Sequence, residues 1–176
     1  LNLGKGRLQL GYGGNYTPCG GDMVVNAGNL ELAANAASGK TIAGNLYVNG
    51  GNVHYQFNNQ MGDTAFIYAR GGTIDLGAKS DTVGGLELSS GSVISNGKLT
   101  SASNYDVRKG SVSAELAGSV GLTKSTADTV TLSGMHSYSG ATNVNDNGKL
   151  VINGNISTSS TTTVASTATL AGIGTV

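Results

Sequence analysis

"GNLEL" at residues 28–32, "GNVHY" at 51–55 and "GTIDL" at 72–76 are three copies of one phrase: glycine, any residue, apolar, polar, apolar. "GRLQL" at 6–10 is a fourth. Looser copies follow as "GSVIS" at 91–95, "GSVSA" at 110–114, "TVTL" at 129–132, "GKLVI" at 148–152 and "ATLAG" at 168–172. Apart from "TVTL", the copies start 22, 23, 21, 19, 19, 38 and 20 residues apart, and the interval of 38 holds two steps with "TVTL" between them. A fixed period of ~20 residues marks a repeat architecture, in which each unit is too small to bury its apolar face alone.

Each copy alternates, so its apolar positions share one side of a strand and the middle position points the other way. The inward pairs are Leu8 and Leu10, Leu30 and Leu32, Val53 and Tyr55, Ile74 and Leu76, and Leu150 and Ile152. Between copies lie further short strands, "GNLYV" at 44–48, "TAFIYA" at 64–69 and "GGLELS" at 84–89, set apart by "NGG", "RGG" and "SSG" turns. No window carries an apolar stripe at helical spacing, and glycine interrupts every run. Two or three strands per period stack as coils of a parallel β-solenoid, ~4.8 Å per coil. Nine coils give a rod ~40 Å long at that spacing. An antiparallel sandwich also has short strands and frequent turns, but it does not require the same phrase at a nearly constant step.

Composition agrees with this all-β reading. The 176 residues include 29 glycines, one proline, one cysteine and no tryptophan, and only 11% are charged. Ten Lys and Arg cancel ten Asp and Glu, so there is no broad positive field for phosphate backbones, and nucleic acid is excluded as a partner class. The chain begins "LNLGKG" without methionine and stops at "AGIGTV" in mid-pattern, which reads as a piece of something longer.

The stretch "DTVTLSGMHSYSGATNVNDNGKLVI" at 128–152 matches "GRLQLGYGGNYTPCGGDMVVNAGNLEL" at 6–32. Leu8, Leu10 and Tyr16 align with Val130, Leu132 and Tyr138 at one offset, and Val24, Gly28 and Leu30 align with Val144, Gly148 and Leu150 two residues earlier. A strand followed by Y-[ST]-G-x-T-x-V-x-x-G-x-L resembles the passenger-associated transport repeat of bacterial autotransporters, the proteins of type V secretion. Residues 128–176 carry it in regular form, with the "ATLAGIGTV" closure, and residues 6–34 in a divergent form with Pro18 and Cys19 where glycine is expected. The resemblance covers roughly two fifths of the chain. It implies a right-handed parallel β-helix of about nine coils, forming a single segment over 1–176 of a longer passenger. Such a passenger is exported through the periplasm and its own outer-membrane β-barrel translocator to the surface of a Gram-negative cell. The expected role is a non-enzymatic stalk and folding unit that needs no cofactor, with 128–176 as folding nucleus. The alternative is an adhesin or self-association surface for host cells, glycans or sister molecules.

Pro18 cannot donate to a ladder, so residues 18–21, "PCGG", read as a loop leaving the coil with Cys19 near its tip. A single cysteine has no internal partner, and a link to another molecule is its one chemical use. The sharper constellation is the outward middle position, which reads Gln9, Glu31, His54, Asp75, Ile94 and Ser113 in successive copies. In register, Glu31, His54 and Asp75 stand ~4.8 Å apart with the imidazole central, an arrangement that could hold a divalent metal or share a proton. Such a row is usually the solvated outer ladder of a solenoid, the stronger of the two readings, so no metal or catalytic residue is assigned. Asp63, Asp81, Asp106, Asp128 and Asp146 occur singly beside turns, where Asp bonds to backbone N–H groups. His54 and His136 are the only imidazoles, and neither Cys19 nor any one serine is marked as a triad partner. Asn29 and Asn52 share a phrase position and are expected to stack as an amide ladder, whereas the seven tyrosines are too dispersed for a sugar-stacking platform.

Overall fold

The computed structural model describes residues 1–11, 17–35, 40–145 and 147–176. These residues form a β-solenoid with no helix among them, and every strand pairing is parallel. One sheet runs through nine strands in sequence order: Arg7–Leu10, Asn29–Leu32, Asn52–Tyr55, Thr73–Val83, Ser92–Ser101, Gly110–Val112, Thr129–Leu132, Lys149–Ile152 and Thr169–Ala171. The facing sheet takes the other strand of each coil, from Asn2–Leu3 and Met23–Val25 to Thr142–Val144 and Thr162–Val164. Nine strands bound eight complete turns, so the nine copies of the phrase are rungs rather than nine full coils. A third face is shorter. It joins the second halves of Thr73–Val83 and Ser92–Ser101 to Glu115–Gly118 and Ser137–Tyr138.

The core is a stack of apolar columns. Leu8, Leu30, Val53, Ile74, Ile94, Val112, Leu132 and Ile152 occupy one column of the first sheet, and all from Leu30 onward are buried. Leu46, Ile67, Leu86 and Leu122 face them from the other sheet. Leu8 and Leu10 are only partly buried because their coil has a neighbour on one side alone. Burying a leucine or isoleucine side chain contributes about 1.5–3 kcal/mol, and here each coil obtains that burial from its neighbours.

The repeated glycine has a steric cause. Gly28, Gly51 and Gly72 have φ of 78°, 75° and 79°, and a Cβ on Gly51 would lie 2.4 Å from the carbonyl oxygen of Gly28 in the coil before. Both the left-handed backbone and the lack of room exclude a side chain there. The outward side of the same turns is bonded through asparagine. Asn52 Nδ2 donates to Asn29 Oδ1 at 2.9 Å, as the repeat predicts. A second amide ladder, Asn49 to Asn26 and Asn26 to Asn2, runs along the facing sheet.

The register differs from the phrase in two places. At 91–95 Ile94 is buried and pairs with Ile74, while Ser95 takes the outward position opposite Asp75, so Ile94 is not in the outer row. Ser92 points inward instead, and its hydroxyl is satisfied by donating to Ser89 O at 2.9 Å and accepting from Gly71 N at 2.6 Å. A serine thus tolerates the interior while the larger isoleucine fills it. Further along, Val130 pairs with Gly110 and Leu132 with Val112, so from "TVTL" onward the phrase sits two residues earlier on the ladder.

Candidate functional site

Cα pairing joins Gln9 to Glu31, Glu31 to His54, and His54 to Asp75, so the outer ladder read from the sequence exists in register. Its side chains do not act as one group. Glu31 is held by Arg7, with Nη2 2.7 Å from Oε1, and by the Gln56 amide. His54 turns the other way, Nδ1 lying 3.3 Å from Asp75 Oδ2. The imidazole therefore has one carboxylate neighbour instead of two, and among the described residues no three His, Cys, Asp or Glu side chains gather as a cation site.

Asp75 instead opens onto a different feature. Asp75 pairs with Ser95, and the next pair on the same two strands is Lys79 with Gly97. Three residues, Leu76, Gly77 and Ala78, thus oppose the single Asn96. The excess is expelled outward at Gly77 and Ala78, which have φ of 57° and 59°, while Leu76 stays in the core. Asn96 and Gly97 turn the opposing strand at φ of 53° and 140°. An alanine in the left-handed region is uncommon and costs of the order of 1 kcal/mol. Such bulges bend the strand and re-aim its side chains.

The bend leaves a recess of about 620 Å³ between the first sheet and the third face, broadly open to solvent and lined by residues from three successive coils: Asp75, Gly77 to Ser80, Asn96 to Lys98, and Glu115. Asp75 Oδ1 accepts from Gly77 N at 2.9 Å and from Asn96 Nδ2 at 3.1 Å. Partial burial pushes its carboxyl up, but the Gly77 N–H, the Asn96 amide and His54 outweigh that and hold it below the ordinary carboxylate range. Glu115 behaves alike: burial raises it, and the Ser137 hydroxyl and Lys98, whose Nζ is 3.1 Å from Oε1, bring it below its usual value. Both acids of the recess are thus fixed anions at neutral pH. Neither is poised to hand over a proton, which is what general-acid work needs.

Lys79, Asn96, Lys98 and Glu115 are absent from the row read out of the sequence. They belong to the third face, to which the phrase does not extend. The signal that points to them is the pair of Gly-containing turns, "GAK" at 77–79 and "NGK" at 96–98, one coil apart.

Cys19 is not at the tip of a loop. It forms a parallel bridge with Ile42, which bridges Met61 in turn, and its N–H donates to Thr41 O at 3.0 Å. A thiol is a small apolar group, and it takes the position that Ile42 and Met61 fill one and two coils on. Cys19 is half-buried with a free thiol. The Tyr16 match and Asp146 lie outside the described residues. Asp81 is not beside a turn: it is buried inside the strand Thr73–Val83 and accepts from the N–H groups of Gln60 and Met61 in the coil before and of Thr82, while Asp63, Asp106 and Asp128 pair with Lys40, Arg108 and Lys109. The tyrosines are less dispersed than their numbering. Tyr47 and Tyr68, one coil apart, stack with centroids 4.7 Å apart and planes 7° from parallel, under the Arg70 guanidinium. Their faces are turned to each other and to Arg70, so the pair is a ladder and not a platform. Comparison with known proteins adds no relative to this picture: no family model, no curated protein and no solved structure matches the chain.

Proposed function

We propose that the chain is a structural, non-enzymatic segment of an autotransporter passenger, serving as stalk and as folding unit during export through an outer-membrane β-barrel translocator. The observation that supports it is the continuity of the two ladders, each passing through nine strands in strict sequence order. In such a stack a coil buries its apolar residues only when the next is in place, so order spreads along the axis from whichever end forms first. A chain emerging unfolded on a cell surface would be held outside by that directional growth. The resemblance of residues 128–176 to a transport repeat points to that end as the nucleus.

The test is deletion of residues 136–176 from the parent passenger, with surface display read by antibody labelling of intact cells. Display should fall sharply, and undiminished display overturns the folding role. A second reading, self-association, is favoured by one observation. The outer columns of the first sheet beyond Asp75 carry Val93, Ser95, Ser111, Ser113, Thr129, Thr131 and Val151, with Lys149 as their one charge. Concentration-dependent sedimentation would support it, and a monomer at all concentrations would remove it.

A further inference from the structure

The recess beside Asp75 holds two anions, Asp75 and Glu115, and two cations, Lys79 and Lys98, and of the two cations only Lys98 is tied to a carboxylate. Lys98 is neutralised by Glu115, and Asp75 is bonded to His54, Gly77 and Asn96. Lys79 lines the same recess without a hydrogen-bond or ion-pair partner among the described residues. The same recess carries unused acceptors. Glu115 receives Ser137 and Lys98 on Oε1, which leaves Oε2 free. Asn96 spends its Nδ2 on Asp75 and keeps Oδ1, and Asp75 Oδ2 has a lone pair left beside His54. One unpaired cation and three free acceptor sites lining the same recess match a molecule with one anionic group and several hydroxyls.

Shape agrees with chemistry. Lining residues come from three consecutive coils, a span of ~10 Å at the inter-strand spacing, and the recess is a shallow one, open to solvent, whose volume of about 620 Å³ admits part of an oligosaccharide. The left-handed backbone at Gly77, Ala78 and Asn96 is the device that opens it. Non-glycine residues held in that region concentrate at functional sites because their cost must be offset elsewhere. From these observations we propose that the recess binds an acidic saccharide, its carboxylate against Lys79 and its hydroxyls donating to Asp75, Asn96 and Glu115. The site is independent of the stalk reading, since a rod needs no recess.

The experiment is titration of the ¹⁵N-labelled chain with hyaluronan tetrasaccharide, with the neutral maltotetraose as comparison. Saturable amide shifts confined to residues 75–80, 96–98 and 115 are expected with the acidic probe at millimolar affinity or better, and none with the neutral one. Lys79→Ala should weaken binding about ten-fold or more, Lys79→Arg should keep it within a few-fold, and raising the salt should weaken it in the wild type. Lys79 lies outside the core, so both variants should keep the wild-type spectrum elsewhere. Absence of saturable shifts, equal response to the neutral probe, or unchanged binding by Lys79→Ala would each overturn the assignment.

Discussion

At Gly51 two costs act on the same atom, and neighbouring glycines separate them. Gly51 combines φ of 75° with a Cβ position 2.4 Å from the Gly28 carbonyl oxygen. Gly91 has φ of 80° but nothing within 4 Å, and Gly20 has open space and no left-handed backbone. Replacing Gly91 by alanine should therefore cost only the left-handed penalty, about 1 kcal/mol. Gly51→Ala adds backbone displacement across two coils and should cost about 3 kcal/mol or more. Gly20→Ala should be neutral or slightly stabilising, since it restricts the unfolded chain alone. Urea midpoints of the three variants check the order, and equal losses at Gly51 and Gly91 would mean that the close approach is not what reserves the phrase for glycine.

At the scale of the strand, stacking of like side chains is what a one-coil period produces. Tyr47 and Tyr68 are 21 residues apart, the local step of the repeat, and their rings meet because the strands Leu46–Val48 and Phe66–Ala69 pair in register. Tyr47→Ala and Tyr68→Ala should each destabilise, and a double-mutant cycle should show a coupling of about 0.5–1.5 kcal/mol. A coupling of zero would make the stack incidental. The same arithmetic on residue numbers was open to the sequence: subtracting one period from each tyrosine finds this pair, and subtracting it from Asn52 finds Asn29. What the period does not carry is where a strand bulges or slips. "GSVIS" offers two adjacent apolar residues, and only the satisfied hydroxyl of Ser92 decides that Ile94 faces in. The recess was invisible for a related reason. It depends on two surplus residues between Asp75 and Lys79, and a phrase that ends at Leu76 says nothing of the corner beyond. Cys19 shows the converse error, in which local turn chemistry around Pro18 suggested a loop while the columns of the third face required a small apolar group.

For the molecule as a whole, two buried titratable groups push stability in opposite directions with pH. Asp81 is 2% exposed. Burial raises its carboxyl to about 6, against the Met61, Thr82 and Gln60 N–H groups and the Lys40 charge, and the unpartnered Tyr55 hydroxyl lies in the same buried cluster. His136 is also buried, accepting from Leu116 N on Nδ1, and burial lowers it to about 4 although the Glu115 charge opposes this. Between pH 4 and 6 the folded chain holds a proton on Asp81 that the unfolded chain has released, so that site loses about 3 kcal/mol as pH rises. Over pH 4 to 6.5 the unfolded chain protonates His136 while the folded chain does not, so that site gains about 3 kcal/mol as pH rises. The two nearly cancel, and the wild type should show a flat stability profile from pH 4 to 6.5. Asp81→Asn should leave a profile that climbs with pH, and His136→Gln, which keeps an acceptor for Leu116, one that falls. Below pH 4 both variants should lose stability with the wild type as Asp75 and Glu115, held low in the fold, take up protons. Urea midpoints at half-unit pH intervals test this. Parallel slopes for all three chains would mean that neither group titrates differently on folding, and that the interior of this rod is better solvated than its packing implies.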